Sequence, residues 1–273
     1  MALRDLLDGL EKATGRYDRD VFSAKRLNYT LLDVQELVFT LQAENFDKAN
    51  LGRYLSVLIN TKMTEKTSFE LTVPYEIHRL ASRFSKGKFT INGNAGNDLA
   101  CEMTGGEIIV NGSAGKHAGY IEGGVLTING DADDFLGYFM NGGEITVNGN
   151  ARNYAGWNIS HGSLRVNGNT GHHPAWAMRG ISFIINGNTG KNLGVNMESG
   201  LVIARNIENL SPLFKSGTVI SQNIITGLEE IIFSSRKLDE FFSEDLLKIP
   251  LIVKARDKLF SKEFLEKNKA LFI

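Results

Sequence analysis

The sequence predicts a mainly β protein: a right-handed parallel β-helix of about seven stacked coils, each 18–19 residues long, with α-helical N- and C-terminal flanks. Three columns of residues predict it. Asn-Gly pairs recur at Asn92-Gly93, Asn111-Gly112, Asn129-Gly130, Asn148-Gly149, Asn167-Gly168 and Asn186-Gly187, at spacings of 19, 18, 19, 19 and 19. Five residues before each asparagine stands Gly87, Gly106, Gly124, Gly143 or Gly162; Ile181 interrupts the column and Gly200 resumes it. Eight residues before stands Phe84, Met103, Ile121, Met140, Ile159, Met178 and then Met197.

Each coil contains one clear strand. The triplets Phe89-Thr90-Ile91, Ile108-Ile109-Val110, Leu126-Thr127-Ile128, Ile145-Thr146-Val147, Leu164-Arg165-Val166, Phe183-Ile184-Ile185 and Leu201-Val202-Ile203 place their first and third side chains on one face. Asn-Gly is expected to supply the positive φ of one corner and the earlier glycine column that of another. One coil cannot bury its apolar face alone, so stacking at about 4.8 Å creates the core. The stacked asparagines can then hydrogen-bond from coil to coil. Left-handed hexapeptide helices have coils of similar length, but no apolar-Gly unit recurs every six residues here. No coil exceeds 19 residues in the Asn-Gly register.

The flanks lack the repeat. Helical spacing over 31–41 and 51–62 points to helices in an N-terminal cap, residues 1–70, ahead of a β-helix at 71–226. Residues 227–273 read as a C-terminal cap, with helices at 238–247 and 262–271 around the strand-like 251–253. Caps are required because a solenoid end exposes an apolar section and an open strand edge.

Composition excludes several classes. The formal net charge is −1 and the pI about 6.5, which offers no basic footprint for nucleic acid or an anionic membrane. Cys101 is the sole cysteine, so no internal disulfide forms, which suits a cytoplasmic location. The N-terminus carries early acids and no signal-peptide core, and no run approaches the roughly 18 apolar residues of a membrane span. The 29 glycines against 4 prolines mark turns.

The register Gly105-Gly106-Glu107-Ile108-Ile109-Val110-Asn111-Gly112-Ser113-Ala114-Gly115, continuing through Lys116-His117-Ala118-Gly119 to Gly123-Gly124, resembles the GXGXG β-helix family. That family includes the β-helical subunit of formylmethanofuran dehydrogenase, its equivalent in the formyltransferase/hydrolase complex, and the C-terminal domain of the large glutamate synthase subunit. The resemblance covers roughly residues 84–220. The methionine column and the Ala-Gly-x-x-x-Gly spacing look more like the formylmethanofuran dehydrogenase member than the glutamate synthase one. What this implies is a scaffold without activity or cofactor of its own, in a multi-subunit complex of one-carbon formyl metabolism, methanogenesis included. The other subunits of that complex would carry molybdopterin or tungstopterin, metal and iron–sulfur centres. Two alternatives stand beside it: a glutamate synthase-like module supporting catalytic domains, and a free-standing enzyme with a groove site dependent on Asp134 or His173.

A search for chemistry finds little. His117 and His173 share the column Asp98, His117, Phe135, Tyr154, His173, Asn192, but three coils separate them by about 14 Å, too far for one metal. His172 falls in the polar column Asn97, Lys116, Asp134, Asn153, His172, Lys191, read as a solvated face. Asp131, Asp133 and Asp134 crowd one coil without the calcium nonapeptide pattern. Cys101 lacks a base in its own coil beyond Asp98. No catalytic, cofactor or metal residue is therefore expected. The column Cys101, Tyr120, Tyr138, Trp157, Trp176, Val195 reads as an aromatic ladder. Facing inward it would be core packing. Facing outward, Tyr120, Tyr138, Trp157 and Trp176 would mark an interface with another protein of a complex or with a second copy.

Overall fold

The computed structural model describes residues 2–13, 17–41, 47–221 and 225–226. Among them, four helices, α1 (Ala2–Glu11), α2 (Tyr17–Ala24), α3 (Leu31–Thr40) and α4 (Lys48–Lys62), precede a ten-stranded sheet. Its strands are β1 (Ser68–Thr72), β2 (Lys88–Asn92), β3 (Met103–Asn111), β4 (Ile121–Ile128), β5 (Asn141–Val147), β6 (His161–Val166), β7 (Ser182–Thr189), β8 (Leu201–Ile207), β9 (Thr218–Ile220) and β10 (Ile225–Thr226). They pair in chain order, β1 through β9 in parallel and β9 with β10 antiparallel. The result is a parallel solenoid of about eight turns behind a helical cap. The expected C-terminal cap, 227–273, lies outside the described residues.

The register shows a coil that the Asn-Gly pattern hides. Ser68 pairs with Lys88, so the first coil is 20 residues long, longer than any read from the sequence. Phe69 and Leu71 take the places of Phe89 and Ile91, while Thr72 and Val73 stand where later coils have Asn-Gly. Pairing of Leu201 with Thr218 makes the last described coil 17.

The core is a set of stacked columns. Phe84, Met103, Ile121, Met140, Ile159, Met178 and Met197 are each fully buried. The first and third residues of every strand triplet point inward beside them. A third column, Ala95, Ala114, Ala132, Ala151, Thr170 and Thr189, forms single parallel bridges past the Asn-Gly corner.

The corner glycines act differently from the expectation. Gly93 has a positive φ, but Gly112, Gly130, Gly149, Gly168 and Gly187 do not. Space excludes a side chain there: a Cβ on Gly112 would lie 2.3 Å from the Gly93 carbonyl oxygen, and one on Gly187 2.5 Å from that of Gly168. The clash is always with the preceding coil, which is why Val73, with no coil before it, can stand at that position. Positive φ belongs instead to the column Gly87, Gly106, Gly124, Gly143, Gly162 and Gly200, at 73–102°.

The corner asparagines form a continuous amide ladder. Nδ2 of Asn111, Asn129, Asn148, Asn167 and Asn186 donates to Oδ1 of the asparagine one coil earlier at 2.7–2.8 Å. Asn129→Ala removes two of these bonds at an exposed site and is expected to cost about 1–2 kcal/mol in urea unfolding. An unchanged midpoint would show that water replaces the ladder without loss.

The cap seals the first coil. The Thr30 side chain and Asp33 form a reciprocal capping box that starts α3. From α3, the Gln35 amide bonds both polar groups of Thr72, Nε2 to the carbonyl oxygen at 3.0 Å and Oε1 from the N–H at 2.7 Å. A side chain thus supplies the pairing that another strand would give the edge. The Tyr75 hydroxyl reaches back to the carbonyl oxygens of Val38 and Leu41, both at 3.1 Å. Behind this junction Leu6, Val34, Leu37, Val38, Leu55 and Leu58 are fully buried.

Candidate functional site

After the alanine column each coil runs through a segment rich in left-handed residues. Asp98, His117, Phe135, Tyr154, His173 and Asn192 all have φ between 57° and 65°. For residues with a Cβ this costs on the order of 1 kcal/mol each. Cross-coil bonds offset the cost: the N–H groups of Phe135, Tyr154 and His173 donate to the carbonyls of Asn153, His172 and Lys191 at 2.8–2.9 Å. In this conformation Leu99, Ala118, Leu136, Ala155 and Leu193, each one residue on, are fully buried. The left-handed residues themselves stay half-buried on the outer surface.

The outer face is aromatic. Phe135 stacks on Tyr154 with centroids 4.8 Å apart and planes 6° from parallel; Tyr154 stacks on His173 at 5.0 Å and 8°. His117 extends the stack at 5.1 Å from Phe135. Three residues further along each coil, Tyr138, Trp157 and Trp176 form a second column, at 5.7 and 5.9 Å between successive rings. The columns interlock, with Trp157 at 5.3 Å from Phe135 and Trp176 at 5.6 Å from His173. Phe139 packs edge-on against Tyr138 at 4.4 Å and remains 41% exposed.

The ladder expected from the sequence is therefore partly rearranged. Tyr138, Trp157 and Trp176 come together, half-buried and outside the core. Tyr120 does not join them; among the described residues it makes no ring contact. Its coil is 18 residues long, and Tyr120 directly precedes the core residue Ile121, as Glu102 precedes Met103. Sequence reasoning missed the better half of the surface, the column His117, Phe135, Tyr154, His173. The available signal was the repeated three-residue spacing of Phe135/Tyr138, Tyr154/Trp157 and His173/Trp176.

The histidines belong to this surface. Burial, aided by the neighbouring His172, holds His173 below the ordinary histidine value, so its ring favours the neutral form that stacks. His117 Nδ1 lies 3.5 Å from Asp98 at the other end of the stack.

The polar column is structural rather than merely solvated. Oδ1 of Asn97, Asp134 and Asn153 accepts the backbone N–H of Lys116, Asn153 and His172 at 2.9–3.1 Å. His172 Nδ1 accepts that of Lys191 at 2.9 Å, and His78 Nδ1 that of Asn97 at 2.8 Å. The aspartates are engaged the same way. Asp131 accepts the Asn150 N–H at 2.7 Å, and Asp133 that of Asp134 at 2.8 Å. Asp134 also pairs with Lys116 at 3.1 Å. Partial burial opposes ionisation of Asp134, but the bonds from Lys116 and Asn153 outweigh it and hold its carboxyl below the ordinary range. Among the described residues no cluster of three His, Cys, Asp or Glu is placed to hold a metal ion. Burial, with Glu102 and Asp98 adding to it, pushes the Cys101 thiol up to about 11, away from nucleophilic reactivity. No helix among the described residues is long and apolar enough to cross a membrane.

No family model matches the chain, and no curated protein matches it. Among solved structures it is similar to a chain in the X-ray crystal structure of the formyltransferase/hydrolase complex from Methylorubrum extorquens in complex with methylofuran. The TM-score is 0.48 and the identity 23%, covering 68% of this chain and 72% of that one.

Proposed function

We propose that the chain is a scaffold without catalysis of its own, and that its outer aromatic face docks another protein of an enzyme complex. One observation carries the reading: four successive coils present interlocked aromatic rings on the surface instead of in the core. Tyrosine and tryptophan dominate the energetically important positions of protein interfaces. Stacking and the cross-coil backbone bonds already order these rings, so little side-chain freedom remains to be lost on association. The repeat register resembles that of formyl-processing complexes, so the partner we propose belongs to such a complex, with cofactors residing on the partners.

The test is gentle recovery of the tagged chain from its native host, beside Trp157→Ala and Tyr154→Ala. The expected result is co-purifying formyl-processing subunits, bound about 30-fold or more weakly by Trp157→Ala. Acrylamide should quench Trp157 and Trp176 in the isolated chain and lose access to them in the complex. Recovery of the chain alone counts against the reading. So does turnover by the purified chain that depends on Asp134 or His173, which would establish the groove enzyme instead.

A further inference from the structure

A cavity of about 560 Å³ lies between the helical cap and the first two coils, and arginine dominates its wall. Arg19 comes from α2, Arg53 from α4, and Arg79 and Arg83 from the first coil. The wall's carboxylates are Asp20 and Glu102. Arg83 pairs with Glu102 at 2.7 Å and sits 4.8 Å over the Tyr17 ring. Arg79 pairs with Asp98, its Nε 3.4 Å from the carboxylate. Among the described residues, Arg19 and Arg53 form no ion pair, and Arg53 is half-buried. Arg79 and Arg83 also occupy left-handed backbone, at φ 60° and 55°.

Guanidinium groups held near one another in a partly desolvated space repel unless an anion comes between them. Their planar forks match phosphate and carboxylate oxygens in a two-point geometry. The volume falls within the ordinary range of small-molecule sites. We propose that this cavity binds a small molecule bearing at least two anionic groups, with Arg19 and Arg53 as its principal ligands. Arg79 adds positive charge to the same wall, and Asp20 and Glu102 favour a hydroxyl or amine elsewhere on the same molecule. The site is separate from the aromatic face and does not depend on the scaffold reading.

Calorimetric titration of the full chain with inorganic pyrophosphate and with citrate tests it. The expected result is saturable one-to-one binding, weakened about tenfold or more by Arg19→Gln and by Arg53→Gln. Arg165→Gln, on the distant strand β6, should leave it unchanged. Binding of pyrophosphate alone identifies a phosphate-bearing ligand, of citrate alone a carboxylate-bearing one, and of both the shared charge chemistry. Absence of saturable binding by either probe overturns the proposal, as does binding indifferent to Arg19→Gln. Circular dichroism checks each variant for folding. Arg19 is exposed, so Arg19→Gln decides the matter if Arg53→Gln does not fold.

Discussion

Gly52→Ala is expected to undock α4 from the first coil and cost about 3 kcal/mol or more. Two effects compete. Alanine is the better helix former by about 1 kcal/mol. Against that, the new Cβ would lie 1.8 Å from the His78 carbonyl oxygen and 2.9 Å from its carbon. Both are backbone atoms, so the helix itself must withdraw. Withdrawal breaks what the close approach permits: the Ser56 hydroxyl at 3.1 Å from both the Arg79 carbonyl oxygen and the Ser82 N–H, and Asn60 Nδ2 donating to the Ser82 carbonyl oxygen at 3.0 Å. Gly52, Ser56 and Asn60 follow at intervals of four along one helix face. Ser56 is fully buried, and the Ser82 N–H it leaves without an acceptor would add about 1–3 kcal/mol; the Arg79 carbonyl oxygen keeps the Ser82 hydroxyl at 2.6 Å. Both tryptophans lie in the solenoid, so their fluorescence reports the coils while far-UV circular dichroism includes the cap. Denaturant should melt the helical signal of the variant before the tryptophan signal. A midpoint equal to or above that of the parent would show that the helix–coil contact is looser than described.

Gly112→Ala is expected to be about as damaging, for a reason unrelated to turn conformation. Its φ is one that alanine can adopt, yet its Cβ would meet the Gly93 carbonyl oxygen at 2.3 Å and the carbonyl carbon at 2.6 Å. Neither coil can yield without disturbing the asparagine ladder and the alanine column beside it. Overpacking of this kind costs about 3 kcal/mol. Gly180→Ala is the informative contrast: its φ is +71°, but the nearest atom to a Cβ is 3.6 Å away. It should cost only the left-handed strain, about 1 kcal/mol. Chemical denaturation of the three proteins ranks the effects. If Gly180→Ala proves worse than Gly112→Ala, corner conformation and not coil spacing governs these glycines.

The repeating architecture is legible in the residues because stacking imposes one local environment many times. Asn92 to Asn186 and Phe84 to Met197 each repeat a single physical constraint. What escapes is wherever that constraint lapses. Val73 conceals the first coil because an end coil has no neighbour to clash with. Tyr120 falls out of its expected column because an 18-residue coil absorbs its missing residue just where the second aromatic column passes. The polar column looks the same in sequence whether it faces water or caps backbone N–H groups; only geometry separates Asn153 accepting from His172 from a solvated amide. The aromatic face is only half visible because His117, Phe135, Tyr154 and His173 mix three residue types, and the left-handed φ that turns them outward is unusual for such side chains. In the cap, Leu3, Leu6, Leu7 and Leu10 carry the helical period of α1, but the convergence of Arg19, Arg53, Arg79 and Arg83 has no signature in a linear chain.

The asparagine ladder also gives the solenoid an electrical direction. Every amide in it donates toward the N-terminal end, so the individual dipoles point the same way and polarise one another. The positive end emerges at Asn92, whose Nδ2 faces the Glu70 carboxylate at 3.4 Å, the natural counter-charge for such a terminus. A row of uncharged residues thus makes the two ends of the rod electrostatically unequal, and an approaching charged surface can sense which way the rod points.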